Sequence, residues 1–88
     1  AKLDQARALG ARGGGDYRAS GWAADLARQA GGAFDVIVDS AGGDGFASLV
    51  DLAAPGGRLV FFGATAGNPK LFEMRKAFFR QLSVLGTT

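Results

Sequence analysis

Residues 34–63 read FDVIVDSAGGDGFASLVDLAAPGGRLVFFG, and this stretch decides the fold. Two apolar runs flank a segment of about ten residues that has helical periodicity. Strands that alternate with such helices are typical of a right-handed βαβ unit in a buried parallel sheet. Ligands of open parallel sheets bind outside the carboxyl ends of the strands. Small residues occupy both predicted ends: Ser40, Ala41 and Gly42 after the first strand, and Gly63, Ala64 and Thr65 after the second.

The rest of the chain continues the alternation of helices and strands. We predict helices over residues 1–9, 21–30, 45–53 and 69–80, strands over 34–40, 58–63 and 82–86, and a weak strand within 13–16. Ser20, Asp44 and Asn68 are the expected N-caps. The last helix should place Leu71, Met74, Ala77 and Phe78 on its apolar stripe and Arg75, Lys76 and Arg80 in solvent. The fold class is therefore α/β, a partial doubly wound parallel sheet with flanking helices.

Composition limits the classes of protein to which this chain could belong. The 88 residues make one small domain at most, with a net charge of +2 from interspersed charges, so we expect no nucleic-acid partner. No apolar run approaches the roughly 20 residues of a membrane span, so we expect no membrane association and a cytoplasmic location. The chain has no Cys and no His, which excludes disulfides and Ser-His-Asp or Cys-His nucleophiles within it. It begins in a helix and ends just after a strand, so we expect a piece of a longer protein.

Several motifs, taken in order, resemble the medium-chain dehydrogenase/reductase superfamily, which includes the zinc-binding dehydrogenases. They are Lys2-Leu3, residues 8–11, Asp16-Tyr17-Arg18, residues 34–42, Leu52 and residues 55–60. Residues 63–67 and the ending Gly86-Thr87-Thr88 are most similar to the quinone-oxidoreductase branch. The resemblance covers essentially the whole chain.

The resemblance implies that residues 1–88 form the later part of an NAD(P)-binding Rossmann domain. The first two strands, the Gly-rich phosphate turn and the catalytic domain of the family are absent from these residues. The intact enzyme would transfer hydride from NADPH, or NADH, to a quinone, an enone or a related carbonyl compound. We assign this chain no catalytic residue and no metal ligand, and expect the piece alone to be inactive.

Ten residues match family positions that contact the cofactor. Lys2 and Tyr17 correspond to residues near the 2′-phosphate and adenine of NADPH, although a solvated lysine and a half-buried aromatic ring are equally ordinary explanations. The others match positions at the nicotinamide end or along the strand ends: Ser40, Ala41, Gly42, Phe62, Gly63, Ala64, Thr65 and Thr87. Tight turns after strands would explain the same small residues. Asp39 is expected to accept hydrogen bonds from backbone amides rather than to form a catalytic pair with Asp35.

Two alternatives and one partner follow from the same patterns. The two apolar runs also suit a class I methyltransferase that uses S-adenosylmethionine, and the isolated chain could be a non-catalytic interaction piece. Without the first two strands, the edge at residues 34–40 should be uncovered, and uncovered apolar edges recruit another chain. We therefore expect a homo-oligomer, such as a dimer, that pairs across this edge or across residues 82–86, with a small-molecule substrate in the intact enzyme.

Overall fold

A computed structural model describes residues 2–88, which divide into two compact units. The first reaches to Gly32 and the second spans Ala33–Thr88. The first unit contains helix α1, Lys2–Ala8, and helix α2, Trp22–Ala30. The weak strand expected within residues 13–16 is not formed, since these residues belong to neither a helix nor a strand.

Polar contacts hold the first unit together. The side-chain amide of Gln29 donates to the carbonyl of Gly14 (2.9 Å) and accepts from its amide (3.1 Å). Gln29 also donates to Asp25, which in turn accepts from Arg28 at 2.7 Å. These hydrogen bonds lower the pKa of Asp25, mainly through Arg28 and then through Gln29. Neither helix of this unit contains a buried residue.

The second unit is a parallel α/β layer. Its elements are β1, Phe34–Asp39; α3, Phe46–Leu52; β2, Ala53–Phe61; α4, Met74–Phe79; and β3, Ser83–Gly86. The sheet order is β1-β2-β3, and both pairings are parallel. The predicted α/β class and the parallel arrangement are confirmed.

The core lies on one face of this sheet. Ile37, Leu59 and Val84 are aligned across the three strands, and Leu59 is completely buried. Phe46 and Val50 of α3 pack on this face because they lie four residues apart, on one side of the helix. On the opposite face, Val36 and Val38 remain 59% and 65% exposed. Apolar residues on both faces match the pattern of parallel strands that are normally covered on both sides.

Several predicted boundaries and caps are wrong. Gly21, in a left-handed conformation, occupies the N-cap of α2 instead of Ser20, and Gly45 occupies that of α3 instead of Asp44. In neither case does a side chain cap the helix. Glycine reaches the left-handed region without the Cβ clash of other residues, which suits the turn that leads into α2.

The second strand and the last helix also differ from prediction. Strand β2 begins at Ala53 rather than at Arg58, and an irregularity in its pairing with β1 accommodates the intervening turn residues. Helix α4 begins at Met74, with Glu73 as its N-cap, so Asn68 does not start a helix. Of the predicted apolar stripe, Leu71 lies outside the helix and Phe78 is exposed. Only Ala77 is half-buried within the helix.

Two cations of the α4 segment contact α3. The Lys76 ammonium is 2.7 Å from the carboxylate of Asp51. The Arg80 guanidinium donates to the carbonyls of Val50 and Asp51, each at 3.1 Å. Lys76 remains exposed, as expected, whereas Arg80 is half-buried, so the expectation of a solvated side chain is wrong for Arg80 only.

Candidate functional site

The carboxyl ends of β1 and β2 lie side by side, because the two strands are parallel neighbours. Beyond the strands, the loop after β2 stays hydrogen-bonded to the loop after β1. Four backbone bonds link the loops: Phe62 to Asp39 (3.0 Å), Thr65 to Ser40 (3.3 Å), Ala66 to Ala41 (2.8 Å) and Gly43 to Gly67 (2.7 Å). The structure therefore brings together the residues predicted at these two strand ends.

Asp39 fixes the turn after β1. Its two carboxylate oxygens accept from the amides of Ala41 (3.2 Å) and Gly42 (2.9 Å). This confirms the expected role of Asp39 as a strand-end acceptor. The amides of Ala41 and Gly42 are thus committed to the turn and are not available to a ligand.

Glycine is required where the two loops touch. A Cβ on Gly63 would lie 2.9 Å from the carbonyl oxygen of Ser40, and one on Gly42 would lie 2.7 Å from the carbonyl oxygen of Gly67. Real Cβ atoms essentially never approach so closely. The glycines therefore keep the two strand ends in contact and leave a small-residue rim, on which Ser40, Ala64 and Thr65 are exposed.

Backbone groups differ in their availability along this rim. The amides of Phe62 and Thr65 already donate to the neighbouring loop, and the amide of Thr87 donates to the carbonyl of Phe61 at 3.0 Å. Among residues 2–88, by contrast, Gly63 has no hydrogen-bond partner for its amide or its carbonyl. Gly63 is thus a residue of this rim whose backbone amide and carbonyl are both unpaired within the described part of the chain.

An apolar cavity of about 230 Å³ opens beside the strand ends. Gly42, Gly63 and Ala64 form one side of it. The other side carries aromatic and aliphatic residues that sequence analysis did not assign to a site: Phe46, Phe61, Pro69, Phe72 and Val84. The Phe46 ring meets Phe61 edge-on and also contacts Phe72, each with centroids 6.1 Å apart. These phenylalanines come from three separate segments, so only the fold brings them together.

Lys2 and Tyr17 lie within the first unit, on a cavity of about 480 Å³. Leu3, Gly15, Asp16 and Arg18 complete its lining. Tyr17 is 75% exposed, so its ring and hydroxyl are accessible. An ammonium, a guanidinium and a phenol around one cavity are donors that suit a phosphate. Lys2 and Tyr17 are predicted from the resemblance to lie near a phosphate, whereas Arg18 is not among the predicted site residues.

The described residues contain neither a cluster of metal ligands nor a membrane-spanning helix. No group of three or more Asp and Glu side chains among residues 2–88 is placed to hold a metal ion. Within that same range, every helix is too short to cross a membrane.

Comparison with known proteins gives one family match. The whole chain, residues 1–88, matches the family described as zinc-binding dehydrogenase. No curated protein is similar enough to the chain to count as a relative.

Solved structures of reductases and dehydrogenases share the fold. An NAD-dependent alcohol dehydrogenase is 36% identical over 97% of the chain, with a TM-score of 0.88. CurA from Vibrio vulnificus, solved in complex with NADPH, is 20% identical over 99% of the chain, with a TM-score of 0.81. A crotonyl-CoA carboxylase/reductase is 22% identical over 98% of the chain, with a TM-score of 0.77. The chain spans 25%, 29% and 26% of these proteins, respectively.

Proposed function

Because the chain belongs to the zinc-binding dehydrogenase family, we propose that residues 1–88 are the later part of the NAD(P)-binding domain of an oxidoreductase. Its substrate would be a quinone, an enone or a related carbonyl compound, as in the quinone-oxidoreductase branch. The observation that carries the proposal is the contact between two small-residue loops at the ends of adjacent parallel strands. The family match disfavours the methyltransferase alternative, and the proposal includes a cytoplasmic location.

The residues of the second unit would bind and orient the cofactor. A nicotinamide cofactor, when bound, supplies the hydride. We propose that the free amide and carbonyl of Gly63 pair with the carboxamide of the nicotinamide ring. Ser40, Ala41 and Gly42 on one loop, and Ala64 and Thr65 on the other, would let the ring approach the backbone closely. Phe62 and Thr87 would flank it, Thr87 through its carbonyl or hydroxyl since its amide is already paired.

The first unit supports a preference for NADPH over NADH. NADPH differs from NADH by a 2′-phosphate, and the cavity of this unit carries Lys2 and Tyr17. The Lys2 ammonium would supply a charge to that phosphate, and the Tyr17 hydroxyl would donate a hydrogen bond to it. Structures of the same fold include a complex with NADPH and an NAD-dependent enzyme, so the fold is compatible with either cofactor.

Cofactor binding and turnover test this proposal. We expect the full-length protein to bind NADPH in saturation-transfer NMR and to oxidise it in the presence of 1,4-benzoquinone, followed at 340 nm. Lys2→Ala should raise KM for NADPH roughly tenfold while leaving KM for NADH unchanged, because one charge-assisted contact is lost. Lys70→Ala, which also removes an exposed lysine, is the matched control. Binding of S-adenosylmethionine without binding of NADPH would contradict the proposal.

A second copy of the chain is the proposed partner. Strands β1 and β3 are the outer strands of the sheet in the described residues. The exposed side chains of Val36, Val38 and Leu85 make these strands apolar, and such edges favour pairing with another chain. We expect a dimer by light scattering coupled to size exclusion, and a monodisperse monomer would refute this part of the proposal.

A further inference from the structure

Arg18 lies beside Tyr17 on the cavity of the first unit, and its side chain is held at one point only. Asp16 Oδ1 accepts from the backbone amide of Arg18 at 3.0 Å and from its Nε at 3.4 Å. The two terminal nitrogens of Arg18 have no hydrogen-bond partner among residues 2–88. The guanidinium therefore keeps two donors for an oxyanion, in the planar arrangement that binds phosphate through two parallel hydrogen bonds.

The charges around this cavity show why Lys2 alone is insufficient. Lys2 contributes one positive charge and Asp16 one negative charge, so without Arg18 the lining would be neutral overall. The pKa of Asp16 is lowered, first by the backbone hydrogen bond from Arg18, so this carboxylate is ionised at neutral pH. Arg18 changes the balance to a net positive charge, which a phosphate dianion requires.

We infer that Asp16 orients the Arg18 guanidinium into the cavity, where Arg18 joins Lys2 in binding the 2′-phosphate of NADPH. The inference rests on the proposed function and adds to it a specificity residue, Arg18, and a positioning residue, Asp16. Asp16 acts through Arg18 and does not itself touch the phosphate. An acidic residue beside a phosphate site would otherwise weaken binding by repulsion.

Two adenine nucleotides isolate the contact without any reaction. Adenosine 2′,5′-bisphosphate carries the 2′-phosphate, and 5′-AMP lacks it. By isothermal titration calorimetry on the full-length protein, Arg18→Ala should weaken binding of the bisphosphate by roughly tenfold or more. Its effect on 5′-AMP should stay within about twofold. Arg18→Lys should recover part of the loss, since it keeps the charge but not the planar pair of donors.

Arg12→Ala is the matched control, since Arg12 is exposed and does not line the cavity. It removes the same charge and should change neither affinity by more than about twofold. An Arg18→Ala variant that binds the bisphosphate as well as Arg12→Ala does would overturn the inference. If the wild type binds NADPH but prefers 5′-AMP to the bisphosphate, the inference fails while the proposed function survives. Absence of NADPH binding in the wild type would defeat both.

Asp16→Ala separates orientation from simple charge. Removing a carboxylate makes the cavity more positive, so repulsion alone predicts tighter binding of the bisphosphate. Loss of the hydrogen bonds to Arg18 predicts weaker binding, by roughly threefold or more. We expect the weaker binding, with 5′-AMP unaffected. Tighter binding by Asp16→Ala would show that Asp16 does not position Arg18.

Discussion

Different forces stabilise each of the two units of this chain internally. The second unit has a parallel hydrogen-bond ladder and a core around Leu59, which is completely buried. The first has two helices without a buried residue, and its loop is attached through the side-chain amide of Gln29. Burial of apolar area is the larger contribution to stability, whereas exposed polar contacts contribute modestly. The second unit should therefore be the more sensitive to substitution.

The largest expected effect is in the core of the second unit. Leu59→Ala should lower the free energy of unfolding by about 2–5 kcal/mol, because it removes a fully buried side chain and leaves a cavity. Urea denaturation followed by circular dichroism measures this change. Val38→Ala on the exposed face of the same sheet is the control and should cost less than about 1 kcal/mol. Equal losses for the two variants would mean that the core does not lie on the face that carries Leu59.

The second-largest effect on stability is expected at the contact between the strand-end loops. Gly63→Ala should destabilise the protein by about 1–3 kcal/mol, because the new Cβ must displace the backbone of Ser40. Gly45→Ala is the control, since Gly45 has helical backbone angles and open space around it. It should be neutral or stabilise by about 0.4–1 kcal/mol. If both variants melt at the same temperature as the wild type, the two loops are not in contact.

The smallest effect is expected in the first unit. Gln29→Ala should lower the free energy of unfolding by about 0.5–1.5 kcal/mol, because it releases both backbone groups of Gly14. This is the usual net contribution of an intramolecular hydrogen bond. Amide hydrogen exchange of Gly14 should accelerate, and the fluorescence of Trp22, the single tryptophan of the chain, reports the unfolding. Gln5→Ala on the exposed surface of α1 is the control. Unchanged exchange at Gly14 in Gln29→Ala would contradict the role of Gln29.

The parallel sheet was the part of the fold that the sequence predicted best. Apolar runs separated by amphipathic segments place β1 and β3 within one residue of their observed limits, although β2 begins five residues before its predicted start. The role of Asp39 was also predictable, because a carboxylate at a strand end has amides of the following turn within reach. These features depend on neighbours in sequence, so local patterns contain the necessary information.

Other features depend on residues that are distant in sequence. The predicted helix over residues 69–80 loses its first turns, and Phe72 in that part contacts the ring of Phe46. The apolar cavity likewise needs phenylalanines from three segments. The caps at Ser20 and Asp44 failed for a local reason, since a glycine follows each of them and takes the cap position itself. A prediction that considers only the polar residue, and not the glycine that follows it, assigns the N-cap to the wrong position.

The contacts of Arg80 and Lys76 have a consequence for the helix they touch. Helix α3 contains no basic residue in its last turn, so its negative C-terminal end is compensated from another helix. Arg80 lies 30 and 29 residues beyond the two carbonyls that it binds. The C-terminal cap of α3 is thus encoded a third of the chain downstream, and a substitution at position 80 acts as a capping mutation in a helix to which that residue does not belong.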